Sequence, residues 1–164
     1  MKFLMVCLAN ICRSPLAEGI LRSKIMMAGL DWIVDSAGTN HYETGFPPHK
    51  LSQNIARQNG VEISDQKCRQ FLKEDMINFD KVYVMDENNY YEVKRISKQF
   101  WNEDKVDFLM NEVYPYENRI IPDPYLGNEA DYIRVYGLVE KACTNIIEKY
   151  SHSPRPLNVL SKDQ

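Results

Sequence analysis

The sequence predicts an α/β fold: a doubly wound, three-layer α/β/α arrangement around a central four-stranded parallel sheet. Three observations carry that reading. Short apolar runs alternate with longer amphipathic stretches along the first 150 residues, the pattern of consecutive βαβ units. The first run, residues 2–6, is continuously apolar after one lysine, as in a strand covered on both faces. With 44% hydrophobic and 26% charged residues over 164 positions, the chain can bury one core and does not read as disordered or fibrous.

Each element follows from local chemistry. Ser14-Pro15 opens a helix, with Ser as N-cap and Pro at the first helical position. Leu16, Ile20, Leu21, Ile25 and Met26 then recur at helical spacing, and Gly29 ends the helix. Trp32-Ile33-Val34 reads as a second strand running into Asp35-Ser36-Ala37-Gly38-Thr39, which has loop composition. Gly45-Phe46-Pro47-Pro48 is a turn before a helix over 49–59, closed by Gly60. Residues 73–79 form a short helix, 81–85 a third strand, and 86–100 a polar amphipathic helix with Tyr90 and Tyr91 on its solvated face. Residues 106–110 supply the fourth strand, and 120–127 a Pro-rich loop. A long helix over 128–150 buries Ile133, Tyr136, Gly137, Val139, Ala142, Cys143 and Ile146. Residues 1–150 thus read as a single domain, and 151–164, with Pro154 and Pro156, as a flexible C-terminal tail.

Composition excludes several functions. Twenty basic against 23 acidic residues leave a net charge of −3, so no general field attracts nucleic acid or anionic lipid. Any anion site is built locally. No apolar run approaches the ~18 residues of a membrane span, and the apolar start is broken by Asn10 and Arg13 before any export-type cleavage site. Four cysteines (Cys7, Cys12, Cys68, Cys143) are too few for a disulfide scaffold and read as reduced thiols of a cytoplasmic protein. His41, His49 and His152 are scattered, and Cys7 and Cys12 lack further ligands nearby, so neither a metal nor a cofactor is expected.

The chemistry concentrates at Cys7-Leu8-Ala9-Asn10-Ile11-Cys12-Arg13-Ser14-Pro15. Parallel sheets bind ligands beyond the carboxyl ends of their strands, and this loop leaves the first one. Successive N–H groups of such a loop form an anion cradle. The helix N-terminus behind it adds unsatisfied donors and partial positive charge. Arg13 supplies a planar fork for two phosphate oxygens. The same field favours a thiolate at Cys7, a nucleophile beneath a bound phosphate. The leaving oxygen needs a proton, and Asp123, in the stiff Pro122-Asp123-Pro124-Tyr125, is the candidate donor. Tyr125 is a candidate wall beside a substrate ring.

Cys-x5-Arg-Ser-Pro at the first strand, with Asp-Pro-Tyr about 110 residues later, resembles the low-molecular-weight protein tyrosine phosphatases. Asp35-Ser36-Ala37-Gly38-Thr39, Arg69-Gln70, Phe79-Asp80 and Met85-Asp86 resemble family segments in the family's order. The resemblance implies strand order 2-1-3-4 and hydrolysis of phosphotyrosine monoesters in proteins through a phosphocysteine on Cys7. It implies that Arg13 binds the phosphoryl group and that Asp123 is general acid, then base. Leu8, Ala9, Asn10, Ile11, Cys12 and Ser14 would line the phosphate site, which also accepts inorganic phosphate or a similar oxyanion. Ser14 would hydrogen-bond the thiolate, Asn10 would hold the loop with Ser36 behind it, and Tyr42 and Tyr125 would flank the substrate ring. Cys12 matches a cysteine that pairs reversibly with the nucleophile under oxidants.

Some positions depart from the family pattern. Ala9 stands where a loop glycine is common, so a positive φ there would be strained. Gln66 replaces a histidine behind the loop, and His49-Lys50-Leu51 replaces Asp-x-Arg at the pocket rim. Ile11 matches the tyrosine phosphatases, where related arginine phosphatases carry Thr. Plain structural readings remain for single residues: Cys68 and Cys143 as core thiols, Asp123 as a turn former. An arsenate reductase on the same fold needs cysteines close together downstream, and Cys68 and Cys143 stand apart. Ala9 and Gln66 leave open a phosphoprotein-binding module without turnover, against which the retained Cys7, Arg13 and Asp123 speak; a phosphocarrier has no evident use for Arg13 with Asp123.

Overall fold

After Lys2 every residue of the first strand is buried, and its side chains alternate between two cores. The computed structural model describes residues 1–152. In chain order the elements are β1 (Lys2–Cys7), α1 (Arg13–Met27), β2 (Ile33–Gly38), α2 (Lys50–Gln58), α3 (Asp75–Asn78), β3 (Lys81–Val84), α4 (Glu87–Ser97), β4 (Val106–Phe108) and α5 (Glu129–Ser151). The strands pair in parallel in the order β2-β1-β3-β4. On one face Phe3 and Met5 meet Leu16 and Ile20 of α1, Ile55 of α2 and Val139 of α5. On the other, Leu4 and Val6 meet Met76 of α3, Val93 of α4 and Phe108 of β4. Each such side chain contributes about 1.5–3 kcal/mol of burial, so the unbroken run at 2–6 reflects a three-layer α/β/α sandwich. Among the described residues, no helix is long and apolar enough to cross a membrane.

Several local expectations are corrected. Helix α1 begins at Arg13 with Cys12 as N-cap, and no side chain caps it. Ser14 is not the cap, because its hydroxyl is engaged in the preceding loop. Gly29, at φ 63°, does end the helix: Leu30 N–H reaches Ile25 O and Gly29 N–H reaches Met26 O, the paired bonds of a Schellman turn. Met26 lies on the solvent side, 77% exposed. Asp35–Gly38 belongs to β2, not to a loop: its backbone pairs with Leu4–Cys7 of β1, and ladder hydrogen bonds override loop-like composition. The capping residues Asp86 and Asn128 lie just outside α4 and α5. Residues 98–100 and 109–112 are 3₁₀ turns, so α4 and β4 are shorter than expected. Tyr90 stacks on Phe108 and packs edge-on to Trp101, which removes it from the solvated face; Tyr91 stays exposed. On α5 the buried stripe runs through Tyr132 and Val135, while Ile133 and Gly137 face solvent. Of the expected tail, Ser151 closes α5 and His152 is its C-cap; the rest lies outside the described residues.

Candidate active site

The sheet order reverses direction at β1, whose neighbours are β2 and β3. The crevice beyond the strand ends opens there. Residues 8–12 leave β1 into this crevice and enter α1. Among the described residues, the backbone N–H groups of Ala9, Asn10, Ile11 and Cys12 donate to no protein acceptor. They are four donors beside the N-terminus of a 15-residue helix, one of the two features that favour an anion.

The loop is held from behind. Asn10 has φ 58°, a left-handed conformation that Asn tolerates. Its Nδ2 donates to Ser14 Oγ (2.8 Å) and Ser36 Oγ (2.9 Å), while its Oδ1 accepts the Arg69 N–H (2.9 Å). These partners fix which way the amide points. The Cys68 thiol donates to the Asn10 carbonyl at 2.6 Å. Ser14 Oγ, already accepting from Asn10, lies 3.1 Å from Cys7 Sγ and 3.4 Å from the Ala37 carbonyl. Ser36 in turn donates to Glu18 Oε2 at 2.6 Å. Asn10 and Ser14 therefore sit behind the loop, buried, and do not line the cavity in front of it. Ala9 does not have a positive φ, so the expected strain is absent. The left-handed turn falls one residue later, on Asn10. Gln66 reaches the first turn of α1: its Nε2 donates to Pro15 O at 3.1 Å.

Arg13 is 2% exposed. Its Nη1 donates to Asp86 Oδ2 (2.6 Å) and Ile121 O (3.0 Å), and its Nη2 to Asp123 Oδ2 (3.2 Å). Of the five N–H donors of a guanidinium, these bonds leave Nε–H and one proton on Nη2. Nε is buried with no partner among the described residues. Burial opposes the charge, but Cys7, the Asp86 contact and Asp123 outweigh it and hold the guanidinium above its ordinary range. Asp86 is missing from the expected site, yet it does two jobs. Oδ1 caps α4 by accepting Asn89 N–H (2.8 Å), and Oδ2 clamps Arg13. Its place directly after β3, at the reversal of strand order, is the signal that could have found it.

In front of the loop lies a cavity of about 200 Å³. Cys7, Leu8, Ala9, Ile11, Cys12 and Arg13 form its floor, and Asp123 and Tyr125 one wall. Tyr42 stands on the rim with Asn40 and Glu43, which sequence reasoning did not single out. Asp123 Oδ1 accepts the Tyr125 N–H (3.2 Å), so the Asp-Pro-Tyr loop orients its own carboxylate. All four cysteines are free and buried. Burial, opposed by a hydrogen bond to Tyr132, pushes the Cys12 thiol up to about 12, so Cys12 stays protonated at neutral pH beside Cys7. Tyr132, which adjoins Cys12, was not anticipated, and His49, expected only as a departure at the pocket rim, stands against Tyr132 and Tyr125. Tyr132 reads in the sequence as one more aromatic on a long helix. Among the described residues, no group of three or more His, Cys, Asp or Glu could hold a metal.

A thiol and a guanidinium at the two ends of one loop, with a carboxylate on the guanidinium, form an oxyanion pocket on an α/β/α scaffold of the phosphatase kind. The comparisons agree. A family model described as low molecular weight phosphotyrosine protein phosphatase matches residues 2–155. A low molecular weight phosphotyrosine protein phosphatase of Mus musculus is 38% identical over 148 residues, 89% of this chain and 93% of the relative. The crystal structure of a protein tyrosine phosphatase from Entamoeba histolytica, with Hepes in its active site, superposes with a TM-score of 0.83. It is 35% identical and covers 92% of this chain and 97% of its own. A Drosophila arginine phosphatase superposes at 0.85 with 28% identity, covering 94% and 100%. This chain belongs to the low molecular weight phosphotyrosine protein phosphatase family.

Proposed function

We propose that the chain removes phosphate from phosphotyrosine in proteins by two in-line displacements at phosphorus, with residues 1–150 as the catalytic domain. The phosphoryl oxygens sit among the free N–H groups of the loop and the two unused donors of Arg13. Cys7 Sγ, 3.1 Å from the Ser14 hydroxyl that would donate to a thiolate, attacks phosphorus. The P–O bond to the tyrosine breaks, and Asp123 protonates the departing oxygen. The intermediate is a phosphocysteine. Water then attacks phosphorus, Asp123 takes its proton, and the Cys7 thiolate and inorganic phosphate are released. Tyr42 and Tyr125 flank the substrate ring, and Cys12, in the same cavity floor, is the thiol placed to pair with Cys7 under oxidants. Free, buried thiols suit a reducing compartment such as the cytoplasm.

The convergence of Cys7, Arg13 and Asp123 on one cavity carries this reading. The test is hydrolysis of p-nitrophenyl phosphate without added metal. Cys7→Ser is expected to be inert, and full activity of that variant would overturn the nucleophile. Asp123→Ala is expected to cut kcat by about 10²–10⁴-fold while inorganic phosphate still inhibits at its original concentration; equal loss of both would remove the acid role. Ile11 lines the cavity floor, and its match to the tyrosine phosphatases, where related arginine phosphatases carry Thr, favours tyrosine as the phosphorylated side chain. Matched phosphotyrosine, phosphoserine and phosphoarginine peptides, with Cys7→Ser as blank, check that preference.

A further inference from the structure

A column of side chains runs from the cavity floor to the cavity wall. Cys12 Sγ lies 3.4 Å from the Tyr132 hydroxyl, and that hydroxyl lies 3.2 Å from His49 Nδ1. Nδ1 also accepts the Leu51 N–H at 3.2 Å, which caps α2. The His49 backbone N–H donates to the Ile11 carbonyl of the loop at 2.7 Å. Its imidazole stacks on the Tyr132 ring, with centroids 5.4 Å apart and 21° between planes. The same ring meets Tyr125 edge-on, at 5.9 Å and 77°. His49 is thus anchored to the loop, to α2 and to α5, and it presents one ring edge or face to Tyr125. Tyr125 itself is 52% exposed on a segment without regular structure. Among the described residues, His49 is the aromatic ring in contact with it.

We propose that His49 is a positioning residue that fixes Tyr125 as the wall against the aromatic part of the substrate, and so sets the enzyme's preference for aryl phosphates. This rests on the phosphatase reading above. The Tyr132 hydroxyl links the brace to Cys12, so the wall is referenced to the phosphate cradle. Edge-to-face ring contacts shift an equilibrium by about 2- to 10-fold, and that is the size of effect to look for.

The experiment measures kcat and KM for p-nitrophenyl phosphate in wild type, His49→Ala, His49→Phe and Tyr125→Ala, with inorganic phosphate as a competitive inhibitor that touches only the cradle. His49→Ala is expected to raise KM about 2- to 10-fold with an unchanged phosphate inhibition constant. His49→Phe, which keeps the ring contacts but loses the Nδ1 bonds to Tyr132 and Leu51, is expected to recover part of the KM rise. Adding His49→Ala to Tyr125→Ala is expected to raise KM no further, since the two act through one contact. Unchanged KM in His49→Ala, a parallel rise in the phosphate constant, no rescue by Phe, or additive effects with Tyr125→Ala would each overturn the proposal. A wild-type protein without turnover would refute the phosphatase reading and this inference together; an active wild type with any of those four results refutes this inference alone.

Discussion

Asn10 shows how much a single side chain in this loop has to settle. Its backbone takes the left-handed turn, its two amide protons set the roles of Ser14 and Ser36, and its two carbonyls are held by Arg69 and Cys68. The consequence at Cys7 is directional. Ser14 Oγ accepts from Asn10, and its one proton has two acceptors in reach, Cys7 Sγ at 3.1 Å and the Ala37 carbonyl at 3.4 Å; the shorter contact and a thiolate's charge favour sulfur. Hydrogen bonds to charged groups contribute about 1.5–3 kcal/mol, and each 1.4 kcal/mol is tenfold in rate. Ser14→Ala is therefore expected to lower kcat/KM for p-nitrophenyl phosphate about 10- to 100-fold. Steady-state kinetics would check this, and a variant within twofold of wild type would show that the Ser14 proton does not serve Cys7.

At the scale of elements, the loop depends on the end of its neighbouring strand. Gly38 closes β2 opposite Cys7. A Cβ there would lie 2.9 Å from Ala9 C, Asn10 N and Leu8 O, all backbone atoms. None of them can move without moving the cradle, so the glycine is required by close approach and not by its own φ. Gly38→Ala is expected to abolish most activity and to weaken inhibition by inorganic phosphate, because it displaces the donors themselves. Unchanged phosphate inhibition in that variant would count against the packing argument. Helix α1 has the opposite design: residues 13–21 are all buried, so its N-terminus is held at a fixed depth behind the loop.

Across the whole molecule, Glu18 connects the cradle to pH. It is 7% exposed, and burial, opposed by the Ser36 hydrogen bond, pushes its carboxyl up from 4.5 to about 7. Native protein then holds this proton more tightly than unfolded chain does. Its contribution to stability is complete below pH 4.5 and is lost as pH rises through 7. The difference amounts to about 3 kcal/mol. Urea unfolding from pH 4.5 to 8 is expected to show wild type losing stability relative to Glu18→Gln over this window; parallel curves would refute it. Much of the fold was readable in advance, because an apolar run, helical spacing and Gly29 act within a few residues. The loop's ends and Asp123 were readable because their chemistry needs particular side chains. Asp86, Glu18, Arg69, Cys68, His49 and Tyr132 were not, since each is an ordinary residue type whose role comes from a partner far along the chain.

By itself the sequence determined the α/β alternation, the cradle between Cys7 and Arg13, and the distant carboxylate at Asp123. These are local patterns or rare chemical combinations, and neither needs a third dimension to be seen. Only the tertiary structure decided that Asp35–Gly38 pairs as a strand, that the left-handed turn falls on Asn10, that Asp86 clamps Arg13, and that His49 and Tyr132 stand between Cys12 and Tyr125. Hydrogen bonds and ring contacts between residues 26 to 120 positions apart act over a few ångströms in space. No periodicity along the chain encodes them.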